Sequence, residues 1–352
     1  MKRLSPKTKR VGVLLAASML LVACSASPDS PPTDAAPTSP DPVPSEPAEF
    51  EPSRTVRFLV PYGAGGGFDA YSRGFAQSLQ DGFLPSGVSV FVENNTPVQQ
   101  GIFVMYSTDP DGHLLGMLPM PAGIAQEVLF PEVSNWETER FTILGSMEEN
   151  NYAIYVRADS DIITVDDLKA RTGLKAMTVE KGSSSSIAAL GTITGLGLDA
   201  SLIFGADTSA DTALALIRGE IDFLVYGATD FTSFVESGDL RPIAFLGGAD
   251  NRPDVDYIAN VPTIREAGYP ELENSVTEMR LIVGPPDMPA EVEAYWIAMV
   301  ERVLASDQLK SWSETANRPL VPRSAESARE AFATQVATIK GNADSLRVLF
   351  DN

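Results

Sequence analysis

Residues 56–73, Val-Arg-Phe-Leu-Val-Pro-Tyr-Gly-Ala-Gly-Gly-Gly-Phe-Asp-Ala-Tyr-Ser-Arg, constrain most of what this chain can fold into. Val56 to Val60 is a β-branched and aromatic run that reads as a buried strand. Pro61, which has no N–H, ends it. Gly63, Gly65, Gly66 and Gly67 then permit positive φ and close approach of a ligand to the backbone. Phe68, Tyr71, Phe75 and Leu79 recur at helical spacing. Strand, glycine turn and helix bring free N–H groups and a positive helix end together, which is an anion site in outline.

The glycines do not spell a nucleotide loop. A Walker loop carries Lys-Ser/Thr after its last glycine, where this chain has Phe68-Asp69, and Gly63, Gly65 and Phe68 supply only two glycines of the dinucleotide fingerprint. Asp69 disfavours a highly charged phosphate and tolerates a carboxylate or hydroxyl; its plainer role is a first-turn charge partnered by Arg73. Tyr62, Gly63, Ala64, Gly65, Gly66, Gly67, Phe68 and Asp69 are therefore candidate ligand-binding residues.

The N-terminus states an address. Lys2, Arg3, Lys7, Lys9 and Arg10 precede the apolar stretch 11–22, which is too short to span a bilayer as a mature helix. Leu21-Val22-Ala23-Cys24 resembles a bacterial lipobox, so residues 1–23 read as a lipoprotein signal peptide and Cys24 as the lipidated first mature residue. Cys24 is the only cysteine, which excludes internal disulfides and cysteine metal clusters. Residues 24–53 are rich in Pro, Ser and acidic residues and poor in large apolar ones, the composition of an extended tether. Loss of the leader, which has five basic residues and no acidic one, takes the formal charge from −21 to −26. Such a charge argues against nucleic acid and against docking on anionic lipid.

The body, from about residue 54, is long enough for two domains. Strands are expected at 88–93, 113–118, 152–156, 176–179, 221–226, 243–246 and 279–283, with helices at 101–106, 164–168, 187–193, 211–218, 290–305 and 325–346. A capped short helix is expected at 261–269. Strands alternating with helices predict a mainly parallel α/β architecture, with ligands at the strand-to-helix turns. Two further turns of this kind are visible. Gly182, Ser183, Ser184 and Ser185 bring hydroxyls to a helix start, and Tyr226 ends a strand before Gly227-Ala228-Thr229-Asp230. His113, the only histidine, reads as an exposed turn residue; with no partner histidine or cysteine it predicts no metal site.

Several stretches together resemble one family, the Bug-type extracytoplasmic solute receptors of tripartite tricarboxylate transporters. They are Pro61-Tyr62-Gly63-Ala64-Gly65-Gly66 with Asp69 and Arg73, Val92-Glu93-Asn94, Pro110-Asp111-Gly112 and Gly219-Glu220-Ile221-Asp222. Val261-Pro262-Thr263 with Glu266-Ala267-Gly268, and Gly284-Pro285 followed by Pro289, complete the set. The resemblance spans roughly residues 55–345. It implies a two-lobed clamshell of the periplasmic-binding-protein type II class, with lobe I at 54–152 and 246–352 and lobe II at 153–245. It also implies a small carboxylate held between the loops Tyr62 to Asp69 and Lys181 to Ser186 by main-chain N–H groups, hydroxyls and helix dipoles. The family's second loop usually carries alternating glycines and a histidine, and an aromatic residue precedes its last Gly-x-x-x-Pro. Here four serines and Met279-Arg280 stand in those places.

The expectation is a non-enzymatic, cofactor-free receptor. It would be lipid-anchored outside the cytoplasm and pass a small organic carboxylate to membrane transporter subunits by hinge closure. A surface hydrolase using a serine of 183–186 is the alternative, and it would need a base: His113 or Lys181. A sensory or structural lipoprotein is the third reading. Arg280 would either reach a second carboxylate or form a surface salt bridge.

Overall fold

The structure, a computed structural model, describes residues 50–351. The leader, Cys24 and the tether up to residue 49 lie outside the described residues. Phe50, the first of them, packs edge-on against His113 and Tyr295, and Ser53 N–H donates to His113 Nε2 at 3.2 Å. His113 is accordingly not an exposed turn residue: only 10% of its side chain reaches solvent.

The first half of the chain runs β1 (Val56–Val60), α1 (Gly67–Gly82), β2 (Val90–Asn94), α2 (Val98–Ser107), β3 (Leu114–Met120) and α3 (Ala122–Leu129). β4 (Thr142–Arg157) follows, then α4 (Val165–Lys169), β5 (Leu174–Thr178), α5 (Ser184–Leu196), β6 (Ala200–Phe204) and α6 (Ser209–Ile217). Next come β7 (Leu224–Gly227), α7 (Thr232–Glu236), β8 (Leu240–Phe245) and α8 (Asp256–Ala259). β9 (Thr277–Gly284), α9 (Ala290–Leu304), α10 (Asp307–Ala316), α11 (Ala325–Gly341) and α12 (Ala343–Asp351) close the chain.

The α/β class is what the structure has, but its sheets are mixed where mainly parallel pairing was expected. β1 pairs parallel with β2 and β3, and β5 with β6. β9 runs against β3 and β4, and β4 runs against β7 and β8. The long β4 causes this. Its first part, Thr142 to Asn151, pairs with β9, and its second, Tyr152 to Arg157, pairs with β7 and β8. One strand thereby serves two sheet regions and opposes the direction of both sets of neighbours.

Alternation along the strands builds a core on each face. In β1, Phe58 and Val60 pack under α1 and α9 with Phe75, Leu79 and Trp296, while Leu59 faces Ile102, Ile124 and Val336. In the second part of β4, Tyr152, Ile154 and Val156 meet Ile193 and Phe223, and Ala153 and Tyr155 meet Leu216, Leu224 and Phe231. Each such large side chain contributes on the order of 1.5–3 kcal/mol of burial.

Three expected elements differ. The stretch 325–346 is broken into α11 and α12 at Asn342. Residues 261–269 form turns rather than a helix, although Thr263 and Glu266 do exchange the side-chain-to-N–H bonds of a capping box. β4 begins ten residues before the strand expected at 152–156, because the polar run Glu148-Glu149-Asn150-Asn151 reads as a loop. Glu148, Asn150 and Asn151 are nevertheless buried.

Candidate ligand-binding cleft

Three helices begin at one cavity. α1 starts after Gly66, which is extended (φ −77°, ψ 175°) and caps nothing with a side chain. The N–H groups of Gly67, Phe68 and Asp69 have no acceptor among the described residues. Gly65 turns the chain there at φ +88°, a conformation open to glycine. Asp69 holds the turn from beneath by accepting from Gly65 N–H (2.8 Å), Arg73 Nε (3.0 Å) and Asn94 Nδ2 (2.9 Å). Against the upward pull of burial, these donors keep its carboxyl below the ordinary range.

The start of α5 is a web of hydroxyls. Ser183 caps the helix by accepting from Ser186 N–H. Ser185 Oγ lies 2.6 Å from Thr178 Oγ1 and 3.2 Å from Ser183 Oγ, and Ser184 Oγ accepts from Ala122 N–H at 3.3 Å. The start of α6 is a capping box in which Thr208 and Asp211 satisfy each other's N–H groups. Its next residue, Ser209, faces the same cavity. The loops of α1 and α6 nearly touch: a Cβ on Gly63 would stand 3.0 Å from Asp207 O.

The floor is ionic. Arg280 on β9 has a side chain 1% exposed and is paired with Glu148, with Asp230 at 3.0 Å and with Glu278 at 2.7 Å. Its guanidinium lies over the rings of Phe68 (4.8 Å) and Tyr71 (4.6 Å). The surface salt bridge considered for Arg280 is therefore excluded, because the residue is a buried cation already shared by three carboxylates. Burial lowers it to about 10, so it stays charged at neutral pH. Burial raises the carboxyl of Asp230, with Arg318 opposing, and raises that of Glu278, with the charge of Asp230 adding to the effect. Glu278 Oε2 also accepts from Tyr152 OH at 3.2 Å.

Of the residues singled out from sequence, Tyr62, Gly63, Gly66, Gly67, Phe68, Ser184, Ser185 and Tyr226 line the cavity. Ala64, Gly65, Asp69, Gly182 and Ser183 are not among the residues that line it. Lys181 turns away, its Nζ donating to Phe350 O at 3.3 Å. Sequence reasoning did not place Val179, Asp207, Thr208, Ser209, Asp230 or Glu278 at the cavity, where the structure has them together with Arg280. A signal existed for two groups of them: Thr208 and Asp211 have capping-box spacing, and Glu278 and Arg280, two apart, share one face of a strand. The open space is about 50 Å³. At roughly 10–15 Å³ for each water-sized group, it admits a handful of such groups.

No base stands beside the serines. The serines engage one another, Thr178, Tyr62, Tyr226 and main-chain atoms, while His113 is tied to Ser53 and Asp111. Among the described residues no group of three or more His, Cys, Asp or Glu could hold a metal ion. No helix among them is long and apolar enough to cross a membrane.

No family model matches the chain. An Agrobacterium vitis protein described as "UPF0065 protein in the TAR-I ttuE-ttuC' intergenic region" is 27% identical over 248 residues, 68% of each chain. The solved periplasmic binding protein BugD superposes with a TM-score of 0.72 at 20% identity, over 85% of this chain and 98% of that one. MatC from Rhodopseudomonas palustris, solved with bound malate, gives 0.71 at 21% identity, over 85% and 99%. The fold is the one seen in the periplasmic binding protein BugD and in MatC, the kind of structure that the sequence motifs lead one to expect.

Proposed function

We propose that the chain is an extracytoplasmic receptor of the Bug type that closes on a small organic carboxylate. The observation that carries this reading is the convergence of the first turns of α1, α5 and α6 on one cavity. The carboxylate sits between Gly66-Gly67-Phe68 and Ser184-Ser185. It accepts from the unpaired N–H groups of α1 and from the serine hydroxyls, with helix dipoles in support. Charge-assisted hydrogen bonds contribute on the order of 1.5–3 kcal/mol each. Three or four supply about 4.5–12 kcal/mol before the cost of ordering ligand and protein. They bring the site toward the roughly 8 kcal/mol of micromolar binding only at the strong end, with helix dipoles and burial adding the rest. The malate bound to MatC is a ligand of this chemistry.

The lobes are residues 54–152 with 246–352, and residues 153–245. The change of β4's partners at Asn151 and Tyr152 supports that division. Closure is a hinge motion about the strands that join them. Lipid on Cys24 holds the receptor at the membrane, and the ligand passes to a membrane transporter. The test is isothermal titration of the full chain against a panel of mono-, di- and tricarboxylates, with product analysis alongside. Saturable binding without turnover is expected; turnover, or silence across the panel, overturns the reading.

A further inference from the structure

The turn that follows β5 reaches across to three helices. Glu180 accepts from Val98 N–H, the first amide of α2, at 3.2 Å and 3.4 Å through its two oxygens. Lys181 O accepts from Gln126 Nε2 on α3 at 2.7 Å, and the buried Gln126 is itself held by Gln99 Nε2 at 2.8 Å. Lys181 Nζ donates to Phe350 O on α12 at 3.3 Å, and the Phe350 ring lies 6.4 Å from that of Phe204 at the end of β6. Gly182 (φ +74°) packs so closely that a Cβ on it would stand 2.6 Å from Gln126 Nε2. On the lobe division above, every one of these contacts except Gln99 to Gln126 joins one lobe to the other. Ser184 and Ser185, which line the cavity, follow directly in the chain. The turn thus ties the serine loop to α2, α3 and α12.

We propose that the 180–182 turn is a proton-gated clasp: closing the lobes seats the Glu180 carboxyl against α2, and its ionised form favours release into water. This rests on the hinged carboxylate receptor above and adds what sets its closed fraction. Among the described residues no Lys or Arg forms an ion pair with Glu180, because Lys181 points its Nζ at Phe350 O. From the α1 loop it is faced by Tyr62, whose hydroxyl burial pushes well up and leaves neutral. From α2 it is faced by the Val98 amide. Burial outweighs that amide and lifts the Glu180 carboxyl from 4.5 to about 7. Opening the cleft returns the group to water and toward its ordinary value. Closure therefore takes up a proton between about pH 4.5 and pH 7. The closed form is favoured at the acid end of that window, weakens as pH rises through it, and levels off above 7, where both forms are ionised.

Glu180→Gln keeps an acceptor for Val98 N–H and cannot ionise. Asp230 and Glu278 at the cavity floor are also raised by burial, so the share of Glu180 is read as the ratio of variant to parent affinity. Both full chains are titrated calorimetrically with acetate, succinate, malate and citrate at pH 5 and pH 8. For each acid that binds, the advantage of Glu180→Gln over the parent is expected to grow about fivefold or more from pH 5 to pH 8. Glu180→Ala, should the first variant fail to fold, is expected to show the same growth from a weaker starting affinity. At pH 6, titrations in two buffers of different ionisation enthalpy are expected to show more proton uptake on binding by the parent than by the variant. A ratio that is flat across pH, or equal proton uptake, overturns the clasp and leaves the carboxylate reading standing. If none of the four acids binds at either pH, both fall together.

Discussion

Gly67 stands so close to Asp230 that a Cβ on it would lie 2.7 Å from Asp230 Oδ1 and 2.9 Å from Arg280 Nη2. The first residue of α1 thus packs directly on the ion cluster carried by β9 and by the turn after β7. Absence of a side chain at position 67 lets the glycine loop and the ionic floor form one wall.

Gly67→Ala must push that cluster aside. Overpacking of this kind costs about 1–3 kcal/mol, and the backbone at Gly67 needs no positive φ, so the loss is steric. Urea unfolding is expected to show a lowered midpoint with an unchanged slope. An unaltered midpoint contradicts the packing described.

Ser184→Ala removes the hydroxyl that both lines the cavity and accepts from Ala122 N–H. The dissociation constant for the carboxylate is expected to rise about tenfold, equivalent to roughly 1.4 kcal/mol. Equal affinities in a side-by-side titration would remove Ser184 from the site.

Glu180 gives a pH signature. Its carboxylate accepts from Val98 N–H at 3.2 Å, yet burial outweighs that bond and lifts it from 4.5 to about 7. The folded state therefore holds this proton more tightly than the unfolded chain does. The stability it gives is present below about pH 4.5 and is lost as pH rises toward 7. Glu180→Gln is expected to stabilise the protein at pH 8 by about 1–3 kcal/mol, a range reduced for partial exposure, and to change little at pH 4.5. A difference that is flat across pH would contradict this.

Cys24→Ser tests the anchor. The variant is expected in the soluble extracytoplasmic fraction, with the parent in the membrane fraction. Retention of both in membranes would refute lipidation at this residue.

The parts legible in sequence were those set by local rules. Val56 to Leu79 announced strand, turn and helix because hydrophobic period and glycine placement decide that structure within a few residues. The serines of α5 were legible for the same reason. The acid floor was not. Glu148 and Asp230 are far from Arg280 in the chain and look like surface residues; the pairing of β4 with β9 sets Glu148 opposite Arg280, while Glu278 lies two residues from it on the same strand. β4 itself was read at about a third of its length because its polar middle is buried by partners that no local pattern reveals, such as Thr229 on Asn150 and Thr277 on Asn151. The antiparallel pairs follow from that same strand.

The most direct test of a backbone cradle is a titration of Gly66→Val beside the unaltered chain. A Cβ on Gly66 meets protein atoms only at 3.7 Å and beyond, ordinary contact, so the added methyl groups intrude chiefly on the cavity. The account predicts saturable carboxylate binding by the parent and none by a variant that melts like the parent. Normal binding by Gly66→Val, with binding lost instead in Lys181→Ala, would contradict it.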